Sequence, residues 1–215
     1  MKSLAASVFN NDIIVLDLNA DEYYITESKE DTQFIDENIL FQTLGEFEEY
    51  NLIFSNLKDA FKHSSNSYLE ERWTPQLTEF SPQGNIIYLF KLIQSSFKLK
   101  YISKKLTQNG WDFILNNIPS VINKKLDNER KTLAINICLW LIEKTFYLNS
   151  NKTDCITTSV TLQHLLAQEG IHSVIVLGVR TRPFFAHAWL EVDGKIINDK
   201  DNLRDLLSVI LEVKS

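Results

Sequence analysis

Three residues in the last third of the chain have the types and order that nucleophilic catalysis needs: Cys155, His187 and Asp199. A thiolate is a strong nucleophile, but a free cysteine loses its proton only around pH 8.5, so it needs activation near neutrality. An imidazole can take that proton, and a carboxylate can orient the imidazole and stabilise its cation. Other site chemistries find no pattern here. There is no G-x-x-x-x-G-K-[ST] and no G-x-G-x-x-G phosphate cradle. His63, His164, His172 and His187 make no H-x-x-x-H or H-E-x-x-H pair, and Cys138 and Cys155 make no C-x-x-C, so no zinc-ligand spacing is present. Cys138, between Ile137 and Leu139, reads as a core thiol. His164 lies nine residues past Cys155 on the same predicted helix, which turns it to the opposite face and toward solvent. His172 opens a strand and reads as structural.

The elements that must position these groups follow from local signals. A helix is predicted over 155–168, with Asp154 near its N-cap, Cys155, Ser159, Leu162 and Leu166 on one stripe, and Gly170 as its stop. A thiol at a helix start gains from the macrodipole, which favours the thiolate. Strands are predicted over 172–179, 186–192 and 195–198, with Asp193-Gly194 as the turn of an antiparallel hairpin. His187 is then on one strand and Asp199 ends the next. Register decides whether they meet. A two-residue turn pairs Val192 with Lys195 and Ala188 with Asp199, and His187 then faces away. A three-residue loop pairs Glu191 with Lys195 and His187 with Asp199. The expectation is that loop, or a bulge before Asp199 with the same effect. Failing both, Asn198 is the alternative orienter.

Upstream, residues 8–26 read as a β-hairpin carrying Ile13, Val15, Tyr23 and Ile25, with turn signals from Leu16 to Glu22. Residues 33–62 read as two short helices broken near Gly45: Phe34, Ile35, Ile39, Leu40 and Leu44, then Leu52, Ile53, Leu57 and Phe61. The Ser-, Asn-, Pro- and Gln-rich stretch 63–84 reads as a linker or crossing segment. Helices are predicted over 86–106, over 111–122 with Pro119 near its end, and over 126–148 with Leu133, Ile137, Trp140 and Leu141 on one stripe. The lysines of the first could border a membrane-surface helix, but the pattern fits a core helix with a solvated face better.

The 215 residues are 44% hydrophobic and 23% charged, which excludes a disordered chain, and the length allows one large or two small domains; the strands and helices read above make the fold class α+β. Residues 1–80 hold five Lys/Arg and sixteen Asp/Glu, whereas 81–215 hold seventeen and twelve. That asymmetry suggests two units with different partners, 1–80 and 81–215, the core of the second at about 150–215. A net charge of -6 argues against general nucleic-acid binding. Two cysteines fit a reducing compartment, no signal peptide is visible, and no apolar run is long enough for membrane insertion. The expected location is the cytoplasm.

The run Asp154-Cys155, Ser159, Leu162, Leu165-Leu166, Gly170-Ile171, Leu177-Gly178-Val179-Arg180, Phe185-Ala186-His187-Ala188-Trp189-Leu190-Glu191-Val192-Asp193-Gly194 and Ile197-Asn198-Asp199 resembles the catalytic domain of the lasso-peptide B proteins. The likeness extends to 180–184, 207–210 and 69–73, hence over most of the chain. It implies a leader peptidase with a transglutaminase-like, papain-like cysteine core: Cys155 as nucleophile, His187 as general base then acid, Asp199 as orienter. It also implies a fused PqqD-like, winged-helix-like recognition module at the N-terminus. Ile13-Ile14-Val15-Leu16-Asp17 and Tyr23-Tyr24-Ile25 resemble its opening hairpin, so Ile13, Val15, Leu16, Tyr23, Tyr24 and Ile25 become the expected leader-binding residues. The leader would add there as a strand. Partners implied are the precursor peptide and an asparagine-synthetase-like lasso cyclase, with ATP entering through the cyclase and no cofactor or metal on this chain. A catalytically silent leader-binding scaffold and a transglutaminase-type acyl transferase remain the alternatives.

Overall fold

A computed structural model describes residues 3–26, 51–53, 61–62, 80–82, 85–148 and 154–215. The chain opens with β1 (Ser3–Phe9), β2 (Asp12–Asp17) and β3 (Glu22–Thr26), an antiparallel meander. Two short strands, β4 (Asn51–Ile53) and β5 (Phe61–Lys62), pair parallel with β1. The predicted hairpin is therefore present as β2–β3, but β1 precedes it. The signal for β1 was Asn10-Asn11: both take positive φ, 51° and 64°, as a tight turn between strands demands. Asp17 organises the next turn by accepting from Asn19 N and Ala20 N at 2.8 and 3.1 Å.

The helix expected through Leu52, Ile53 and Phe61 is overturned, because those residues lie in β4 and β5. Short apolar runs fit helical and extended periods alike, and here the free edge of β1 captures their backbone. The helix expected through Phe34 to Leu44 with its break at Gly45, Leu57, and His63 to Glu79 lie outside the described residues.

Three helices follow. The first, α1 (Ile86–Asn116), runs through both predicted helices, with a kink at Gly110 (φ 51°, ψ -136°) between them. Its end at Asn116, not 122, agrees with the restriction that Pro119 places on the residue before it. The second is α2 (Asn128–Leu148) and the third α3 (Cys155–Gln168), the latter with the predicted bounds. The expected α2 stripe is corrected at one end: Leu133 is exposed, and burial starts at Cys138.

The second sheet is β6 (Val174–Arg180), β7 (Phe185–Val192), β8 (Lys195–Ile196) and β9 (Ser208–Lys214), in the order β8-β7-β6-β9 and antiparallel throughout. A short helix, α4 (Leu203–Leu206), leads into β9. One face of this sheet buries Ile175, Leu177 and Leu190 against Leu162 and Leu166 of α3. The other packs Trp189 and Val176 against Leu203, Leu207 and Val209. The larger cluster also includes Ala5, Ile14 and Leu16, so the first sheet and the helices share one core. Ser208 Oγ donates to the Val8 carbonyl, tying β9 to β1. Gln163 Nε2 donates to the Val213 carbonyl at 3.0 Å, tying α3 to the far end of β9.

Candidate active site

Asp154 sets the position of the thiol. It has extended backbone (φ -81°, ψ 173°), and its Oδ1 accepts from Thr157 N at 2.7 Å, the geometry of an N-cap. Cys155 is thereby the first residue of α3, half-buried, while Cys138 is buried in the core. The first-turn N–H groups of a helix have no partner within it, so the Cys155 end of α3 favours negative charge.

β7 presents the imidazole. His187 is 5% exposed and lies between Phe185 and Trp189, ring centroids 5.9 and 6.4 Å away and both planes within 25° of its own. These are alternate residues of one strand, hence on one face. His187 Nε2 is 2.7 Å from Asp199 Oδ2, and the ring is also hydrogen-bonded to Cys155. With Nε2 held by the carboxylate, Nδ1 is the nitrogen available to the thiol. Burial works against a charged ring, but the Asp199 and Cys155 hydrogen bonds and the charges of the same two groups outweigh it. They push the His187 pKa up to about 9. The site thus favours the protonated ring, set between a carboxylate and a sulfur.

Asp199 reaches His187 by a route that corrects the register expectation. The turn has two residues, Asp193 and Gly194, with φ of 51° and 74°, and Val192 pairs with Lys195. The three-residue loop is absent, and Glu191 opposes Ile196, not Lys195. Instead the chain leaves the ladder after Ile197, whose N–H still reaches the Leu190 carbonyl at 3.0 Å, and bends through 197–199. That irregularity gives Asp199 the effect expected of a bulge. Asn198 is part of the device: its Oδ1 accepts from Leu190 N at 2.8 Å and its Nδ2 donates to Ser159 Oγ at 3.4 Å. It braces β7 against α3 while Asp199 turns to the ring. Glu191 takes Trp189 Nε1 at 2.8 Å and Arg204 Nε at 2.7 Å, which anchors the strand behind His187.

The structure separates the remaining candidates. Cys138 is buried, and burial first, then Glu169, pushes its thiol up to about 12, as suits a core residue. His164 is corrected: it is half-buried, and burial together with Lys98 pushes it down to about 4. The helix bundle of α1 and α2 covers the face that helical spacing alone assigns to solvent. His172 precedes β6, is exposed, and its Nδ1 is 2.9 Å from the Ser215 carbonyl. Of the expected leader residues, Ile13, Val15 and Leu16 are buried in β2, whereas Tyr24 and Ile25 are exposed on the outer strand β3. Tyr23 turns inward. Its ring packs on Phe184 at 5.0 Å, and burial, then Asp21 and Cys155, raise its hydroxyl pKa. A residue of the first sheet thus stands near the thiol, which no local signal announces. The aromatic alternation Phe185, His187, Trp189 was visible in the sequence and would have identified the imidazole's neighbours.

Residues 124–212 match the transglutaminase-like superfamily, a span that contains Cys155, His187 and Asp199. The chain is 32% identical to the microcin J25-processing protein of Escherichia coli, over 95% of this chain and 96% of that one. The chain belongs to the family of that processing protein. No solved structure matches it. In this member of the microcin J25-processing family, β1–β3 and α1 lie outside the superfamily match, yet contribute Tyr23 and part of the core around it. Among the described residues no three His, Cys, Asp or Glu side chains gather as metal ligands, and no helix is long and apolar enough to cross a membrane.

Proposed function

We propose that the chain is a cysteine endopeptidase that removes the leader from a ribosomally made lasso-peptide precursor. The observation that carries this reading is the contact of His187 with both Asp199 and Cys155 at the capped start of α3. The relationship to a protein named for processing microcin J25 supplies the substrate class. Cys155 Sγ attacks the carbonyl at the leader's last residue, and His187 gives its proton to the departing core amine. The thioester that remains is hydrolysed by a water that His187 deprotonates, so the leader leaves with a free carboxylate. The Cys155 backbone N–H is the proposed oxyanion donor. Asp199 holds the ring through Nε2 so that Nδ1 serves the sulfur.

The leader docks by strand addition on β3, the outer strand of the first sheet, with the exposed Tyr24 and Ile25 beside it. Ile13, Val15 and Leu16 hold that strand in place from the neighbouring β2, paired with Thr26, Tyr24 and Tyr23. The PqqD-like character of this module is part of the proposal. The freed amine then passes to an asparagine-synthetase-like cyclase, which brings the ATP; the peptidase needs no cofactor of its own. We place the reaction in the cytoplasm, where precursors are made and both thiols stay reduced.

The test is incubation of the full chain with its precursor peptide, with and without the cyclase and ATP, read by mass. Free leader carboxylate and free core amine are expected. An amine adduct of the leader would assign acyl transfer instead. Leader binding without cleavage under every condition would make the chain a scaffold.

A further inference from the structure

A cavity of about 370 Å³ opens beside the N-terminus of α3. Asp154 and Ile156, the neighbours of Cys155 on either side, line it with Thr157. α1 contributes Thr107 and Trp111, and the β2–β3 turn contributes Asp21. Asp21 has a left-handed backbone (φ 57°), and its Oδ1 accepts from Trp111 Nε1 at 2.8 Å, which docks the turn onto α1. Asp154 Oδ1 is occupied by Thr157 N. Each carboxylate keeps its second oxygen, and among the described residues no lysine or arginine pairs with either acid.

The cavity therefore offers an apolar wall, Trp111 and Ile156, and two exposed carboxylates that no lysine or arginine among the described residues pairs. A basic side chain matches both: its methylene stem covers the apolar wall while its cationic head meets the acids. An acidic side chain is repelled, and a neutral apolar one strips water from the carboxylates with nothing in return.

We propose that this cavity is the subsite for the residue on the acyl side of the scissile bond, that it selects a basic side chain, and that Asp21 is its specificity residue. The proposal rests on the peptidase reading of Cys155. It gives the first sheet a second role, since its turn walls the cavity in which the substrate's last leader residue sits.

Chloromethyl ketones test this without knowledge of the precursor. The sulfur displaces chloride and forms a thioether, and the amino-acid side chain beside the ketone reports the acyl-side subsite. The rate of Cys155 alkylation by tosyl-lysyl chloromethyl ketone is compared with that by the tosyl-phenylalanyl reagent. Both are read by mass on the full chain and divided by the iodoacetamide rate of the same protein. The lysyl reagent is expected to react about tenfold faster, the scale of one charge-assisted contact. In Asp21→Asn the amide oxygen still accepts from Trp111, so the turn stays docked while the charge is gone. The preference should fall to about threefold or less. Equal rates in the unaltered protein, or a preference that survives Asp21→Asn, would overturn the subsite while Cys155 stays reactive. The first comparison needs no variant. If iodoacetamide fails to label Cys155 ahead of Cys138, the peptidase reading falls and the subsite with it.

Discussion

His187 carries the residue-scale consequences. Its ordinary pKa is near 6.5, and in the fold it is pushed up to about 9 against the opposing effect of burial. A cation that gains partners on folding stabilises the fold fully below about pH 6.5, and that contribution is lost as pH rises through about 9. The melting temperature is therefore expected to drift down between those values. Asp199→Asn removes the charge that holds the imidazolium, so it should flatten this drift and move the alkaline limb of cleavage to lower pH. A limb that stays near pH 9 in the variant would take Asp199 out of the site. The two thiols make the complementary case. Cys155→Ala should abolish leader release with leader binding retained, measured by mass and by titration of the leader. Cys138→Ala should keep cleavage and cost about 1 kcal/mol of stability, the scale of a small core truncation. Equal loss of cleavage in both folded variants would contradict the assignment.

At the scale of elements, β6 matters to catalysis through a residue with no side chain. Gly178 stands opposite His187 in the β6–β7 ladder. A Cβ there would lie 2.6 Å from the Trp189 ring and 2.8 Å from Leu207 Cβ, so the ring occupies the space that glycine leaves. Trp189 in turn stacks beside His187. Gly178→Ala must push that ring aside, and an overpacked core site costs about 1–3 kcal/mol. The expected outcome is a lower denaturation midpoint together with a fall in kcat larger than any change in KM, because the imidazole is displaced and the leader site proposed on β3 is not. A loss of stability with kcat intact would mean that Trp189 supports the sheet alone. The Asp193-Gly194 turn acts on the other side of β7. Gly194 has φ 74° and open space around it, so Gly194→Ala is strained by its backbone alone, at about 1 kcal/mol.

The whole molecule is held across its two sheets by a buried acid. Asp12 is fully buried at the start of β2; its carboxylate accepts from Thr181 Oγ1 and from Arg182 Nη2 at 3.0 Å, in the loop that leads to β7. That loop is gripped again at its other end by Tyr23 on Phe184. Arg182 is half-exposed, so Arg182→Ala should cost about 1–3 kcal/mol, mostly from leaving the Asp12 charge poorly paired. Denaturation should also reveal whether the sheets part before the core melts. One cooperative transition at a lower midpoint is expected in the variant, because the first sheet and the helices share one core; two resolved transitions would mean that the Asp12 contacts alone couple the sheets. The charge distribution acts at the same scale. The acidic 1–80 segment should favour a Lys- or Arg-bearing leader, with affinity falling as salt shortens the Debye length below about 10 Å. Salt-independent affinity would assign leader recognition to strand addition and apolar contacts.

Much of the site was legible before any fold was built. The bounds of α3, the N-cap Asp154, the placement of Cys155 at a helix start and of His187 on a strand followed from caps, glycine stops and periodicity, signals carried by residues within a few positions of one another. Long-range pairing was not legible. β1 and β9 are strands because each finds a neighbour's edge, at Asp12–Asp17 and Val174–Arg180 respectively, and Leu52 and Phe61 join strands for the same reason. Asp199 meets His187 because Asn198 breaks the ladder to bond Leu190 and Ser159, an exchange between three elements. Tyr23 stands by Cys155 because Asp21 is pinned to Trp111, ninety residues away. Local chemistry determined which residues could react; the packing of distant segments decided which of them meet.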